Sequence, residues 1–112
     1  MAADQTTRAL ERGRTLGERG ELDAAAAQFE RLLREAPGCL EARHDLGIVR
    51  FRQGRPEDAE TCFRGVLERA PQAAETLSAL GVVLEATDRL AESRDCFARV
   101  TELDPGSADA HA

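Results

Sequence analysis

Pro37, Pro71 and Pro105 stand 34 residues apart, and no other feature restricts the folding of this chain as much. Gly13, Gly47 and Gly81 keep the same step, as do Phe29, Phe63 and Phe97. Three residue types that hold special places in folded chains thus share one register three times over, which marks a repeat architecture. Proline fixes φ, lacks an amide donor and pushes its predecessor out of the α region, so each unit must end a helix just before its proline. Gly20 and Gly54, with Asp88 in the third unit, mark a second break about halfway. Pro56 stands where a first-turn proline is tolerated. Each unit therefore holds two helices of roughly 14 residues, each about 20 Å long.

Composition agrees with helices. Twenty alanines and 13 leucines outnumber the 13 β-branched residues, which favours the better helix formers. In the second helix of the first unit, Leu22, Ala25, Ala26, Phe29, Leu32 and Leu33 step by three and four, the spacing of one buried face. Leu46, Gly47 and Val49, and likewise Leu80, Gly81, Val83 and Leu84, supply the answering face of the first helix. A mid-helix glycine costs roughly 1 kcal/mol against alanine, so its threefold return implies a close approach of the neighbouring helix.

This pattern resembles the tetratricopeptide repeat, a 34-residue helix-turn-helix unit with a Trp-x2-Leu-Gly-x2-Tyr segment, then Ala-x3-Phe, then Pro. Leu46-Gly47 and Leu80-Gly81 match the Leu-Gly pair, and Ala25 with Phe29 and Ala59 with Phe63 match Ala-x3-Phe. The resemblance implies an all-α fold, an α-solenoid of three helix-turn-helix repeats in a right-handed superhelical stack. The repeats fall at residues 6–39, 40–73 and 74–107, with 108–112 opening a truncated fourth. The chain departs from the pattern in places: it has no Trp or Tyr, Arg12 replaces the leucine of the first repeat, Arg50 takes the tyrosine place and Ser93 replaces the alanine of the third. Arg50 is expected to run its stem along the helix and keep its charge in water.

Ala108, Asp109, Ala110 and His111 stand where Leu40-Glu41-Ala42 and Ala74-Glu75 open the earlier units, so the sequence reads as cut inside a longer array. Arg94 and Thr101, at the places of Ala26 and Leu33, pull the other way, since end repeats turn polar. On the truncated reading, the last helix, with Leu90, Phe97, Val100 and Leu103, presents an apolar patch that invites self-association.

Several functions are disfavoured. Net charge is −6 and all 15 basic residues are arginine, so the chain as a whole repels a phosphate backbone and nucleic acid is not an expected partner. An 18-residue apolar run is missing, as is a signal-type apolar start, so neither membrane insertion nor export is expected and a cytoplasmic location is the default. Cys62 and Cys96 stand 34 apart on equivalent helices, too far for a disulfide. Cys39 follows Pro37 in a turn and is the candidate reactive thiol. Cys39 and His44 form the only close Cys/His pair, and a tetrahedral metal site needs two more ligands. The serines lie in no Gly-x-Ser-x-Gly turn, and no glycine-rich phosphate loop exists. The expectation is a non-catalytic segment without cofactor or metal.

In the family this chain resembles, the first helices line a concave groove that receives a partner's peptide or helix. With Leu46, Gly47 and Val49 in the core, the remaining stripe of the second unit is Glu41, His44, Ile48 and Phe51. Its counterparts are Thr7, Leu10, Arg14 and Gly17, then Glu75, Ser78, Val82 and Glu85. The expected groove has an apolar floor of Leu10, Ile48, Phe51 and Val82 flanked by Arg14, Arg52 and the glutamates, and suits a segment of mixed charge. Family members that clamp the C-terminal carboxylate of heat-shock chaperones use cationic and amide side chains on these helices. Leu10, Arg14, Asp45, Glu75 and Ala79 hold those places here, and two of them would repel a carboxylate. The leading expectation is a protein-interaction scaffold for a partner peptide or helix. The rival is an N-terminal docking segment of a larger bacterial enzyme such as a sulfotransferase, glycosyltransferase or methyltransferase.

Overall fold

The computed structural model describes residues 2–105, and every regular element there is helical. The elements are α1 (Ala3–Glu18), α2 (Leu22–Glu35), α3 (Leu40–Arg52), α4 (Pro56–Arg69), α5 (Ala74–Ala86) and α6 (Leu90–Leu103). Residues 108–112, expected to open a fourth repeat, lie outside the described residues.

Two kinds of helix end alternate. Gly20 and Gly54 adopt φ of +79° and +78°, and Asp88 takes the same left-handed turn at 64°. Each such turn closes a Schellman motif, with Glu21, Arg55 and Arg89 amides donating to the carbonyls of Leu16, Arg50 and Leu84 at 3.0, 2.9 and 2.8 Å. The second helices end differently. Ala36, Ala70 and Asp104 are forced to extended ψ of 75°, 75° and 88° ahead of their prolines, which stops the α-helical ladder.

Packing follows chain order, with α1 on α2, α3 on α4 and α5 on α6, and with α2 on α3 and α4 on α5 joining the pairs. In each pair a glycine receives a phenylalanine ring. A β-carbon on Gly13, Gly47 or Gly81 would lie 2.5, 2.5 and 2.8 Å from the rings of Phe29, Phe63 and Phe97. Phe29 and Phe63 are 1% exposed, and Leu32, Leu46, Val49, Leu80, Val83 and Leu84 are buried around them. Ser93 is buried too, and its hydroxyl donates to the Gly81 carbonyl at 2.8 Å, which satisfies the polar atom that replaces alanine. Arg50 does not reach for water. Its side chain is 16% exposed, and the guanidinium donates to Glu30 on α2 at 2.7 Å and to Gln53 at 3.1 Å.

The row of helices is curved. α1 meets α3 and α3 meets α5, whereas α2, α4 and α6 make no comparable approach to one another, so the first helices lie on the inner side. On the outer side, long side chains span α4 and α6. Glu60 accepts from Arg64 at 2.8 Å and from Arg89 at 2.6 Å, and Arg64 and Arg89 reach Glu92 at 3.2 and 3.0 Å. On α6, Val100 is 3% exposed and so is not part of an open apolar patch, while Leu90 is 51% exposed.

Candidate groove on the first helices

Exposure along the inner helices follows a clear step. On α3 the outward residues are Glu41, Ile48 and Arg52 with Asp45 half-buried between them, and the places equivalent to these on α1, Thr7, Glu11, Arg14 and Glu18, are exposed. On α5 the exposed residues are Glu75, Val82, Glu85 and Ala86, with Ala79 half-buried against the second core cluster. The expected stripe turns toward the core on α1 and α3, at Leu10, Gly17, His44 and Phe51, while Glu75, Val82 and Glu85 of α5 are exposed. Leu10 is 5% exposed and belongs to the first core cluster, so it is no part of a groove floor. Phe51 is half-buried and packs against the cluster of Ala59, Phe63, Leu80, Val83 and Leu84, so it is not an exposed anchor. Both corrections share one cause: a residue one step earlier than 11, 45 and 18, 52 on these helices turns into the seam between elements, where an apolar side chain gains most by burial.

His44 lies in the same seam. Its side chain is 13% exposed, Nδ1 stands 2.9 Å from the Thr76 hydroxyl and Nε2 stands 3.8 Å from a Glu75 carboxylate oxygen. Its ring centroid is 5.4 Å from that of Phe63. His44 thus ties α3 to α5 rather than standing free on the surface. Ser78 is half-buried, and Glu85 is exposed.

Between α1 and α3 the connections are ionic. Arg14 Nε donates to Asp45 at 2.7 Å and a terminal nitrogen reaches Glu41 at 3.5 Å. The hydrogen bond to Asp45 pushes the Arg14 guanidinium pKa up. Arg52 donates to the Gly17 carbonyl at 2.9 Å, which also accepts from the Gly20 amide at 3.0 Å in the turn that ends α1. These contacts frame two adjoining hollows. One, of about 230 Å³, is bordered by Arg14, Glu18, Asp45, Ile48 and Arg52. The other, of about 330 Å³, lies between α3 and α5 and is bordered by Arg14, Glu41, His44, Asp45 and Glu75. Asp45 and Glu18 border these hollows and were not among the groove residues expected from sequence. Their signal was present, because Glu41, Asp45, Ile48 and Arg52 are spaced as regularly on a helix as Glu41, His44, Ile48 and Phe51.

The three cysteines are free thiols, and burial pushes the Cys62 and Cys96 thiols above the ordinary value. No helix among the described residues is long and apolar enough to cross a membrane.

Paired helices in a curved row, with a cleft along the inner helices, define an α-solenoid of helix-turn-helix units. The sequence profile of the tetratricopeptide repeat matches residues 10–60 and 44–108, and the chain belongs to that family. Among solved structures it is similar to the first repeat domain of Spaghetti (RPAP3) bound to the HSP90 peptide SRMEEVD, at TM-score 0.91, 19% identity, and 99% and 88% coverage of this chain and that one. It is similar to an O-GlcNAc transferase mutant of Thermobaculum terrenum at TM-score 0.88 and 26% identity, over 99% of this chain but 22% of that one. MamA from Desulfovibrio magneticus matches at TM-score 0.81 and 21% identity, over 89% of this chain and 56% of that one. This chain thus spans about half of that MamA chain and about a fifth of the transferase. A comparison with curated protein sequences finds no match.

Proposed function

We propose that the chain is a non-catalytic protein-interaction scaffold that holds a segment of a partner protein against the inner faces of α1, α3 and α5. The observation that carries this reading is the pair of adjoining hollows, with Ile48 38% and Val82 45% exposed on the same side. Apolar surface grouped in a cleft and rimmed by polar residues marks interaction sites. The fold is shared with a repeat domain whose structure holds a peptide, which supports the same use of the fold here. Arg14, Glu41, Ile48, Arg52, Glu75, Val82 and Glu85 remain in the proposed groove, with Glu18 and Asp45 added, and Ser78 and His44 at its edge.

A photo-reactive amino acid placed at Ile48 tests the reading. In extract from the source organism, covalent adducts are expected from position 48 and not from Ala27, which is exposed on α2. Equal labelling from both positions removes the groove assignment. Ile48→Asp with Val82→Asp is expected to abolish the adducts formed from a probe at position 41 while helical circular dichroism is retained.

A second reading rests on the transferase similarity: the repeats serve as the docking segment of a larger enzyme. Sequence of the parent gene beyond Ala112 decides between them, since a catalytic domain there supports docking and further repeats support the scaffold.

A further inference from the structure

The groove combines an apolar floor with an unbalanced wall. Ile48 and Val82 are two of the three large hydrophobic residues exposed among the described residues, and they occupy equivalent places on adjacent helices. The two hollows are bordered by Glu18, Glu41, Asp45 and Glu75, against the cations Arg14 and Arg52. Arg14 is paired with Asp45 and Glu41, while Arg52 donates to the Gly17 carbonyl, a neutral acceptor. Glu75 is the opposite case, with its side chain 90% exposed and its nearest ionisable neighbour, His44, at 3.8 Å. The carboxylates outnumber the cations around the two hollows, so an incoming carboxylate would meet net negative charge and an Arg14 with partners to lose. An incoming ammonium or guanidinium would meet exposed glutamates at no such cost.

We propose, on the groove reading above, that the partner segment is cationic and extended, with two apolar side chains three residues apart that rest on Ile48 and Val82 and with Arg or Lys between and beside them. The spacing follows from geometry. Packed helices stand roughly 8 to 10 Å apart, and an extended polyproline-type segment advances about 9 Å in three residues while returning its side chain to the same face. The charge follows from the wall. This sign is opposite to that of the peptide SRMEEVD held by the similar domain, whose sequence carries more acidic than basic residues.

Three capped, fluorescein-labelled dodecapeptides test the proposal, each with Leu at every third position and the intervening places filled by Arg and Ala, Glu and Ala, or Gln and Ala. By fluorescence anisotropy with the full chain, the Arg peptide is expected to bind about tenfold or more tighter than the Gln peptide. That advantage should shrink as salt rises from about 0.05 to 0.3 M. Glu18→Gln/Glu41→Gln/Glu75→Gln is expected to remove most of the advantage. Glu35→Gln/Glu57→Gln/Glu68→Gln, which changes net charge equally at exposed sites outside the groove, is expected to keep it. Equal loss in the two triple variants would show attraction by net charge alone and overturn the proposal. Tighter binding of the Glu or Gln peptide, with methyl NMR shifts at Ile48 and Val82, would overturn the cationic preference and leave the groove standing. Binding of the Arg peptide with shifts elsewhere and none at those methyls would overturn both.

Discussion

Gly47 has no room for a side chain, since a β-carbon there would sit 2.5 Å from the Phe63 ring, which is itself 1% exposed. Alanine would gain up to about 1 kcal/mol of helix propensity but would overpack the core at a typical cost of about 1–3 kcal/mol. Gly47→Ala is therefore expected to lower stability by about 1 kcal/mol in urea denaturation; a more stable variant would show that the ring is free to move. The same glycine–phenylalanine pairing was legible in the sequence, because Gly13, Gly47, Gly81 and Phe29, Phe63, Phe97 share one register. Leu10, Phe51 and Arg50 were less legible. Their neighbours come from other elements: Leu10 is covered in the first core cluster, Phe51 by residues of α4 and α5, and Arg50 is paired with Glu30 of α2. Phe51→Ala is thus a change in packing and an unsuitable probe of partner binding.

Helix ends set the frame for the elements. The left-handed turns at Gly20, Gly54 and Asp88 and the extended residues before Pro37, Pro71 and Pro105 were written in single positions, so element bounds could be read locally. The link between α4 and α6 could not, because it depends on two outer helices coming within reach of long side chains. Burial by itself would push the Glu60 carboxyl up, but hydrogen bonds from Arg64 and Arg89 outweigh it and hold it below the ordinary 4.5. A carboxyl lowered in the folded state adds stability above its unfolded value, and that contribution is lost as pH falls below about 4.5 and through the folded value. Glu60→Gln is expected to cost about 1 kcal/mol or less at pH 7 and to flatten the fall in stability below pH 4.5. Parallel acid limbs in the two proteins would show that the network contributes nothing.

At the scale of the whole molecule the two ends of the row differ. Arg8 and Arg12 are exposed on α1, where the equivalent Ala42 and Leu46 on α3 and Thr76 and Leu80 on α5 are buried, so the first helix presents a polar outer face. Polar end faces keep repeat arrays soluble. At the other end Leu90 is 51% exposed on α6. Self-association, if it uses this exposed leucine, is expected to join α6 to α6 in a closed two-fold pair, because stacking α6 on α1 would bury two arginine side chains. Sedimentation should show a monomer–dimer equilibrium weakened by Leu90→Glu; a monomer at high concentration or an open polymer would contradict this.

The sequence by itself determined the period, the helix breaks and the glycine–phenylalanine contacts, because each depends on a residue's own backbone limits or on a register that repeats. Only the tertiary structure decided which side of α1, α3 and α5 faces water. At about 3.6 residues per turn two stripes fit each helix equally well, and contacts with α2, α4 and the adjacent inner helices choose between them. That choice places Leu10 and Phe51 inside, brings Asp45 against Arg14, and leaves Ile48 and Val82 among glutamates.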